Sequence, residues 1–161
     1  MTTNAAHKPS NEDEVVRKAL TVPLSPTAAF TLWTEQIQSW WPTGHSRSGD
    51  PNTCIVMETG VGGRFYERTS HGIEYEWGRI LVWEPPYHLA YHWYLGSGPM
   101  PPTRVDVFFT AVTDGETLVS VEHRGPALIG DLWWLNNSRY RAAWDVVLPA
   151  YGRSASKQAC A

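Results

Sequence analysis

The segment Tyr75–Leu95 reads YEWGRILVWEPPYHLAYHWYL and contains three tryptophans and four tyrosines. Its two apolar runs meet at Pro85-Pro86. Because proline lacks the N–H that a strand ladder requires, the pattern predicts two long strands that end on either side of these prolines. Aromatic residues occupy both alternating sets of positions, so the strands have more apolar surface to bury than a flat sheet normally covers. The concave side of such a sheet holds either protein core or a bound molecule.

Length and composition indicate one globular domain. A chain of 161 residues is long enough to bury roughly 70% of the surface that its unfolded form exposes. The sequence contains nine tryptophans, and two interpretations of that number stay open: a large aromatic core or an aromatic-lined cavity. Trp and Tyr combine a large apolar area with one polar group, which suits a pocket that both buries and orients a ligand.

Charge and hydropathy argue against several classes of partner. The formal net charge of −3 disfavours nucleic acid and anionic membranes, since both require a basic face. No stretch approaches the ~20 apolar residues of a membrane span. The polar N-terminus lacks the apolar core of a signal peptide. Cys54 and Cys160 are distant in sequence and suggest neither a metal site nor a disulfide framework. We therefore expect a cytoplasmic protein without a metal or another cofactor.

The N-terminal part of the chain predicts one strand and one helix. Residues 1–12 are polar and are expected to be disordered, whereas Glu14–Val22 has the composition of an edge strand. Ser25 and Pro26 mark a helix start, because serine caps the first turn and proline fits the first helical position. A short second turn then leads into a loop over 43–52.

Six further strands and one long helix are predicted. The strands are Thr53–Glu58, Arg64–Thr69, the two in Tyr75–Leu95, Thr103–Val112 and Glu116–His123, with a Gly/Pro loop at 96–102. Consecutive strands with short turns pair as an antiparallel meander. Apolar residues at helical spacing predict a helix over Asp131–Tyr151, bent or frayed near Pro149 and stopped by Gly152. The single domain is expected to span 13–153, followed by a flexible tail over 154–161.

The order of these elements predicts an α+β fold, β-α-α-β6-α, in which a curved antiparallel sheet of about seven strands wraps the last helix. One helix is only about 10 Å across and does not fill the groove of a strongly curved sheet. We therefore expect a gap between the sheet and the helix.

Three motifs carry a family resemblance: Gly-Gly-Arg-Phe-Tyr-Glu at 62–67, Trp-Gly and Glu-Pro-Pro within 77–86, and His-Arg-Gly at 123–125. Together they resemble the SRPBCC superfamily, which has the START-like or Bet v 1-like helix-grip fold. The resemblance spans about residues 14–152 and is closest to the branch named after the activator of Hsp90 ATPase. It implies a deep cavity between the sheet and the C-terminal helix that binds small, largely apolar molecules.

Strand alternation predicts which side chains of the aromatic segment face this cavity. Tyr91 and Trp93 share one face, whereas His92 lies on the other and is expected at the surface. Trp77 and Trp83 stay undecided, because a bulge in their strand would reverse the face that each presents.

The remaining aromatic candidates lie on helices and loops. Tyr140 and Trp144 stand four residues apart and should face the sheet, either as core or as cavity wall. Trp40 and Trp41 are adjacent, so one is expected in the core and the other at the cavity. His45 follows in the loop but has no second ligand at a metal-like spacing.

Two polar residues are weak candidates for acid/base chemistry. Glu67 shares a face with Phe65, which is expected to be buried, and a carboxylate beside an aromatic pocket can act as a general acid or base. His123 shares a face with valines of the last strand and would point into one end of the cavity. The alternative interpretations are a hydrogen-bonded structural histidine and ion pairs of the strand carboxylates with Arg64, Arg68 and Arg79.

Three functions stay open. The first is the binding of a small hydrophobic or aromatic ligand. The second is an enzyme of the same fold, of cyclase, dehydratase or hydrolase type, that uses Glu67 and His123 with Tyr66 or Tyr91. The third, implied only by the family name, is the activation of an Hsp90-type chaperone. A homodimer is also possible if Trp133 or Trp134 is exposed.

Overall fold

A computed structural model describes residues 15–94, 102–125 and 131–160, except for the side chains of 131–137. The predicted tail at 1–12, nearly all of the loop at 96–102 and the side chains of Trp133 and Trp134 lie outside the described residues. The described elements are β1 (Val15–Val22), α1 (Pro26–Trp33), a 3-10 turn (Ile37–Ser39), β2 (Cys54–Met57), β3 (Arg64–Arg68), β4 (Glu74–Glu84), β5 (His88–Trp93), β6 (Thr103–Thr113), β7 (Glu116–Arg124) and α2 (Asp131–Ala159).

The seven strands form one antiparallel sheet in the order β1-β7-β6-β5-β4-β3-β2. Strands β2 to β7 form a meander, and β1 pairs along its whole length with β7, from Val15 opposite Arg124 to Val22 opposite Thr117. This arrangement confirms the predicted α+β helix-grip fold and its seven strands. Ser25 caps α1 as predicted, since its Oγ accepts the Ala28 N–H at 3.2 Å.

Two register shifts in β4 decide the faces that the sequence left open. The pairing of β4 with β3 skips Trp77, and its pairing with β5 shifts between Ile80 and Val82. Each bulge changes which alternating positions point to the core. Trp77 is fully buried, and the ring of Trp83 meets Phe30 of α1 edge-on at 5.1 Å. Both tryptophans therefore lie on the helix-covered face of the sheet.

Close contact between β4 and β5 requires the glycine that follows the first bulge. A Cβ added to Gly78 would collide with the carbonyl oxygen of His92. His92 itself lies on the face opposite Tyr91 and Trp93, as predicted, but it is half-buried rather than fully at the surface.

Helix α2 continues through Pro149 and Gly152 to Ala159, so the predicted stop at Gly152 is wrong. A Cβ added to Gly152 would lie 3.3 Å from the side chain of Leu20 on β1. Glycine therefore permits a close approach of the helix to the sheet here, and it does not serve as a C-terminal cap. Residues 154–159, which were expected in a flexible tail, belong to this helix, and Ala155 is fully buried.

Trp33 lies at the centre of the aromatic core. Its ring centroid is 4.9 Å from that of Tyr151, 5.1 Å from Trp40, 6.1 Å from Trp144 and 6.3 Å from Phe109. Helices α1 and α2 thus close over one part of the sheet with aromatic side chains between them. Much of the unusual tryptophan content therefore packs in the protein core.

Candidate functional site

A cavity of about 440 Å³ remains where α2 and the loop after the 3-10 turn face the sheet. Its lining comes from that loop, from β5 and β7 and from the middle of α2, and comprises Trp41, Gly44, His45, Ser46, Arg47, Trp93, His123, Arg139, Tyr140, Ala143, Trp144 and Val147. Sites for small molecules commonly have volumes of about 300–1,000 Å³. The predicted gap between sheet and helix is therefore present and is large enough for a small ligand.

Three tryptophans form the inner wall of the cavity. Trp41, Trp93 and Trp144 are each less than a tenth exposed, and the rings of Trp41 and Trp93 lie 6.0 Å apart. The indole N–H of Trp41 donates to the carbonyl oxygen of His45 at 2.6 Å, which fixes that ring against the loop. Tyr140 is half-buried beside them. The wall offers apolar faces with few polar atoms directed into the cavity.

His123 lies at the end of β7, fully buried, in a short chain of hydrogen bonds. The indole N–H of Trp144 donates to His123 Nδ1 at 3.1 Å. Because an indole can only donate, Nδ1 is the accepting nitrogen and the neutral ring carries its proton on Nε2. Nε2 then donates to Thr103 Oγ1 at 2.7 Å, and the Thr103 hydroxyl donates to the Trp93 carbonyl oxygen at 3.2 Å.

These bonds assign His123 a structural role in the cavity wall. Both ring nitrogens are engaged with neighbouring side chains, and burial lowers the pKa of His123 to about 3. The ring therefore stays neutral at physiological pH and fixes the orientation of Trp144. Its face packs on Tyr140, with the ring centroids 4.4 Å apart.

Glu67 is fully buried beneath the loop that borders the cavity, and it is absent from the cavity lining. Its Oε2 accepts the Trp77 indole N–H and the backbone N–H of Arg47, both at 2.8 Å. Its Oε1 accepts the backbone N–H of Ser48 at 3.2 Å and the Thr53 hydroxyl at 3.3 Å. Four hydrogen-bond donors thus compensate the negative charge of the buried carboxylate. These bonds attach the loop to β3 and β4.

The other strand carboxylates form the ion pairs that the sequence suggested as an alternative. Arg64 lies 3.4 Å from Glu58 and 3.7 Å from Glu74, and Arg68 lies 3.4 Å from Glu74. These pairs confirm the ion-pair interpretation for Glu58 and Glu74, and Glu67 forms no ion pair with these arginines among the described residues. Glu67 and His123 bind different groups and do not form an acid/base pair.

Five of the eleven site residues predicted from the sequence line the cavity: Trp41, Trp93, His123, Tyr140 and Trp144. The other six lie outside its lining: Trp40, Phe65, Glu67, Trp77, Trp83 and Tyr91. As expected of adjacent tryptophans, Trp40 lies in the core, where its N–H donates to the Leu32 carbonyl at 2.8 Å, and Trp41 faces the cavity. The role of any of these residues in binding stays a prediction.

Tyr91 illustrates why parity alone does not find a cavity wall. It lies on the same face as Trp93, but Phe65 meets it edge-on at 5.3 Å and it is fully buried. Burial raises the pKa of its phenol, and the nearby Trp33 side chain lowers it in part. Neither the Tyr91 hydroxyl nor the Trp33 N–H has a hydrogen-bond partner of acceptable geometry among the described residues. Both are therefore buried polar groups in the core.

Several lining residues were not predicted from the sequence. Arg139, Ala143 and Val147 follow one another at four-residue intervals on α2, beside Tyr140 and Trp144. This spacing places all five on one stripe of the helix, so periodicity was a sufficient signal for the first three. No comparable signal marks Gly44, Ser46 or Arg47, since a loop has no periodicity.

The described part of the chain contains neither a cluster of metal ligands nor a membrane-spanning helix. No group of three or more His, Cys, Asp or Glu side chains there is arranged to hold a metal ion. None of the helices over those ranges is long and apolar enough to cross a membrane.

Comparison with known proteins places the chain in a family. A family model described as Activator of Hsp90 ATPase homolog 1-like protein matches residues 23–131. No curated protein matches the chain. The structure of Txn09, an anthrahydroquino-gamma-pyrone synthase complexed with SUM, is 30% identical, covers 83% of this chain and 86% of its own, and superposes with a TM-score of 0.53.

Two further structures share the fold. CalC, a self-sacrificing resistance protein from Micromonospora echinospora, is 28% identical over 91% of this chain and 94% of its own, with a TM-score of 0.63. An Hsp90 activator from Plasmodium falciparum is 17% identical over 71% and 75%, with a TM-score of 0.50. The family match, the synthase and the seven-stranded sheet agree: the chain belongs to the Activator of Hsp90 ATPase homolog 1-like family, within the SRPBCC superfamily.

Proposed function

We propose that this protein binds a small aromatic or largely apolar molecule in the cavity between its sheet and α2. The observation that carries the proposal is the cavity itself: about 440 Å³, bounded by Trp41, Trp93, Tyr140 and Trp144. Aromatic rings pack favourably on one another in offset or edge-to-face arrangements, which add to the gain from burying their apolar area. A planar ring system is therefore the guest that this wall suits best.

The wall is largely fixed before a ligand arrives. Trp41 is held by its bond to the His45 carbonyl, and Trp144 by its bond to His123. Glu67 fixes the bordering loop through the backbone N–H groups of Arg47 and Ser48. A ligand that binds to a pre-organised surface does not have to order the side chains and the loop, so less conformational entropy is lost on binding.

The name of one relative supports a ligand of this class. Txn09 is named as a synthase of an anthrahydroquino-gamma-pyrone, a polycyclic aromatic product, and its structure includes a bound molecule. That activity belongs to the relative, and here it supports only the aromatic character of the proposed ligand.

The proposal is tested with N-phenyl-1-naphthylamine, an uncharged probe that fluoresces in apolar surroundings. We expect saturable binding, accompanied by quenching of intrinsic tryptophan fluorescence. Ala143 lines the cavity, and Ala143→Trp would fill part of it with an indole. This variant should weaken binding by at least about tenfold, which corresponds to about 1.4 kcal/mol.

The matched control is Ala142→Trp, at the neighbouring, exposed position of the same helix and outside the cavity lining. It should bind the probe as the wild type does. The proposal is refuted if the wild type shows no saturable binding, or if the two variants weaken it equally.

An enzyme acting on an aromatic substrate is the second candidate, favoured by the 30% identity to a synthase. Since Glu67 lies outside the cavity lining and both ring nitrogens of His123 are engaged, the predicted Glu67/His123 pair does not support acid/base catalysis. Tyr140 is the cavity residue with a titratable hydroxyl next to the wall. Mass spectrometry of partly cyclised polyketide precursors incubated with the protein would detect turnover. A catalytic role for the phenol requires that Tyr140→Phe abolish that turnover while probe binding persists.

Activation of an Hsp90-type chaperone stays a prediction that rests on the family description. An ATPase assay with the cognate chaperone, with and without saturating protein, measures it directly. An unchanged hydrolysis rate would remove this function.

A further inference from the structure

The charged side chains that line the cavity all carry one sign. Arg47 and Arg139 are both lining residues, and no described Asp or Glu is among them. The whole chain has a formal net charge of −3, so this local excess of positive charge runs against the overall balance. A cavity whose inner wall is formed by tryptophans is thus also lined by two arginines.

Arg47 belongs to the loop that borders the cavity and is exposed. Its backbone N–H is bound by Glu67, whereas its guanidinium carbon lies 5.0 Å from the centre of the Tyr75 ring. A cation over an aromatic face is held in position but keeps its charge and most of its hydrogen-bond donors. Glu67 is buried below, where four donors already compensate it.

Arg139 lies on α2, also lines the cavity and is also exposed. No described carboxylate forms an ion pair with it, although Lys18 pairs with Asp145 on the same helix at 2.8 Å. Its charge acts on the cavity wall: burial raises the pKa of the Tyr140 phenol, and Arg139 lowers it. The second cation is therefore close enough to influence a group that lines the site.

We propose that the cavity selects aromatic ligands that carry an anionic group, a carboxylate, sulfonate or ionised phenol, with Arg47 and Arg139 receiving that group while the ring system packs on the tryptophans. This inference rests on the proposed binding function and adds the charge of the ligand to it. Guanidinium groups bind carboxylates and sulfonates through two parallel hydrogen bonds, a geometry that lysine cannot supply, and they donate to the single oxygen of an ionised phenol.

The test compares two probes with the same aromatic frame. 1-Anilinonaphthalene-8-sulfonate is N-phenyl-1-naphthylamine with one added sulfonate, and both fluoresce in apolar surroundings. The measured quantity is the ratio of their dissociation constants, neutral over anionic, for the folded full-length protein. In the double variant R47Q/R139Q this ratio should fall about tenfold, and in each single variant about threefold, since partly exposed charge pairs are individually modest.

Two further variants separate the role of charge from general effects of substitution. Arg153→Gln removes an exposed arginine of the same helix that lies outside the cavity lining, and it should leave the ratio unchanged. Arg139→Lys retains the charge but loses the paired hydrogen bonds of the guanidinium, so its ratio should lie between those of the wild type and Arg139→Gln. Raising the salt concentration from about 0.05 M to about 0.5 M should lower the wild-type ratio, because the partly exposed charges are then screened.

The possible outcomes distinguish this inference from the function on which it rests. If the neutral probe binds in the cavity but the ratio is the same in R47Q/R139Q as in the wild type, the charge selection is refuted and the binding function stands. An equal fall of the ratio in Arg153→Gln also refutes it. If neither probe binds, both the function and the inference fail.

Discussion

The aromatic cluster around Trp33 and the aromatic wall of the cavity are built from the same residue types but differ in what covers them. Trp33, the last residue of α1, is fully buried, with the rings of Trp40 and Phe109 and, from α2, of Tyr151 packed around it. Trp41 and Trp93 pack on Phe65 and Trp77 of the sheet, but a space of about 440 Å³ is left on their other side, beside the loop and the middle of α2. The difference shows that tryptophan content does not distinguish a core from a pocket. Whether aromatic residues form a core or line a pocket depends on the distance between the covering helix and the sheet. Gly152 allows that distance to be short at one end of the helix.

The largest expected effect tests the packed side of this comparison. Trp33→Ala should lower the free energy of unfolding by about 4 kcal/mol, because it leaves a large void among aromatic rings that cannot collapse. Trp41 borders an existing cavity, so Trp41→Ala should lower the free energy of unfolding by about half as much. Urea denaturation followed by circular dichroism measures both. Equal losses would mean that the two regions are equally packed.

Glu67→Gln tests how firmly the cavity border is fixed. The amide has one acceptor oxygen in place of two and directs an NH₂ donor towards groups that are themselves donors. We expect a loss of about 2 kcal/mol in unfolding free energy, as for a buried charge-assisted hydrogen bond. Hydrogen exchange at the amides of Arg47 and Ser48 should accelerate. Unchanged exchange at these two amides would contradict the anchoring role.

His123 makes the stability of the cavity wall depend on pH. Burial lowers its pKa from 6.5 to about 3, so the unfolded chain binds a proton below pH 6.5 that the folded protein excludes until about pH 3. Its contribution to stability is therefore complete at high pH and is lost as the pH falls. Between about pH 7.5 and about pH 5.5 the loss from this group is about 1.4 kcal/mol.

The matched variant for the pH experiment is His123→Gln, whose amide can accept from Trp144 and donate to Thr103 without titrating. Between about pH 7.5 and about pH 5.5, the unfolding free energy of this variant should fall by about 1.4 kcal/mol less than that of the wild type. An equal fall in both proteins would show that folding does not lower the pKa of His123.

The smallest expected effect concerns the polar groups left in the core. The Tyr91 hydroxyl is buried and has no hydrogen-bond partner among the described residues. Tyr91→Phe removes a polar group whose burial is unfavourable. The free energy of unfolding should therefore stay the same or rise by at most about 1 kcal/mol, which a melting-temperature measurement would detect. A loss above about 1 kcal/mol would indicate that the hydroxyl binds a partner, such as a buried water.

Much of the fold followed from local signals in the sequence. Ser25 with Pro26 marked the start of α1, and the turn residues separated the strands that the sheet contains. The faces of Trp77 and Trp83 did not follow, because the two register shifts in β4 depend on pairing with β3 and β5. The end of α2 was missed for a related reason: Gly152 serves a contact with Leu20, which is remote in sequence.

The site was less predictable than the fold. Helical periodicity identifies the stripe of α2 that lines the cavity, and it gave Tyr140 and Trp144. Alternation along β3 and β5 placed Phe65 and Tyr91 on the correct face, but the structure packs them behind other rings. Arg47 lies in a loop, and its position depends on a buried carboxylate twenty residues away.

The anchoring of that loop has a consequence for how readily the site can change. Glu67 binds the loop by the backbone N–H groups of residues 47 and 48, and these groups are the same for any non-proline residue. Mutations at His45, Ser46 and Arg47 can thus replace the side chains presented to a guest while the loop keeps its attachment, whereas Gly44 has a positive φ of 94° that favours glycine. This short stretch offers natural variation, or a directed-evolution library, a place to alter ligand preference at little cost in folding.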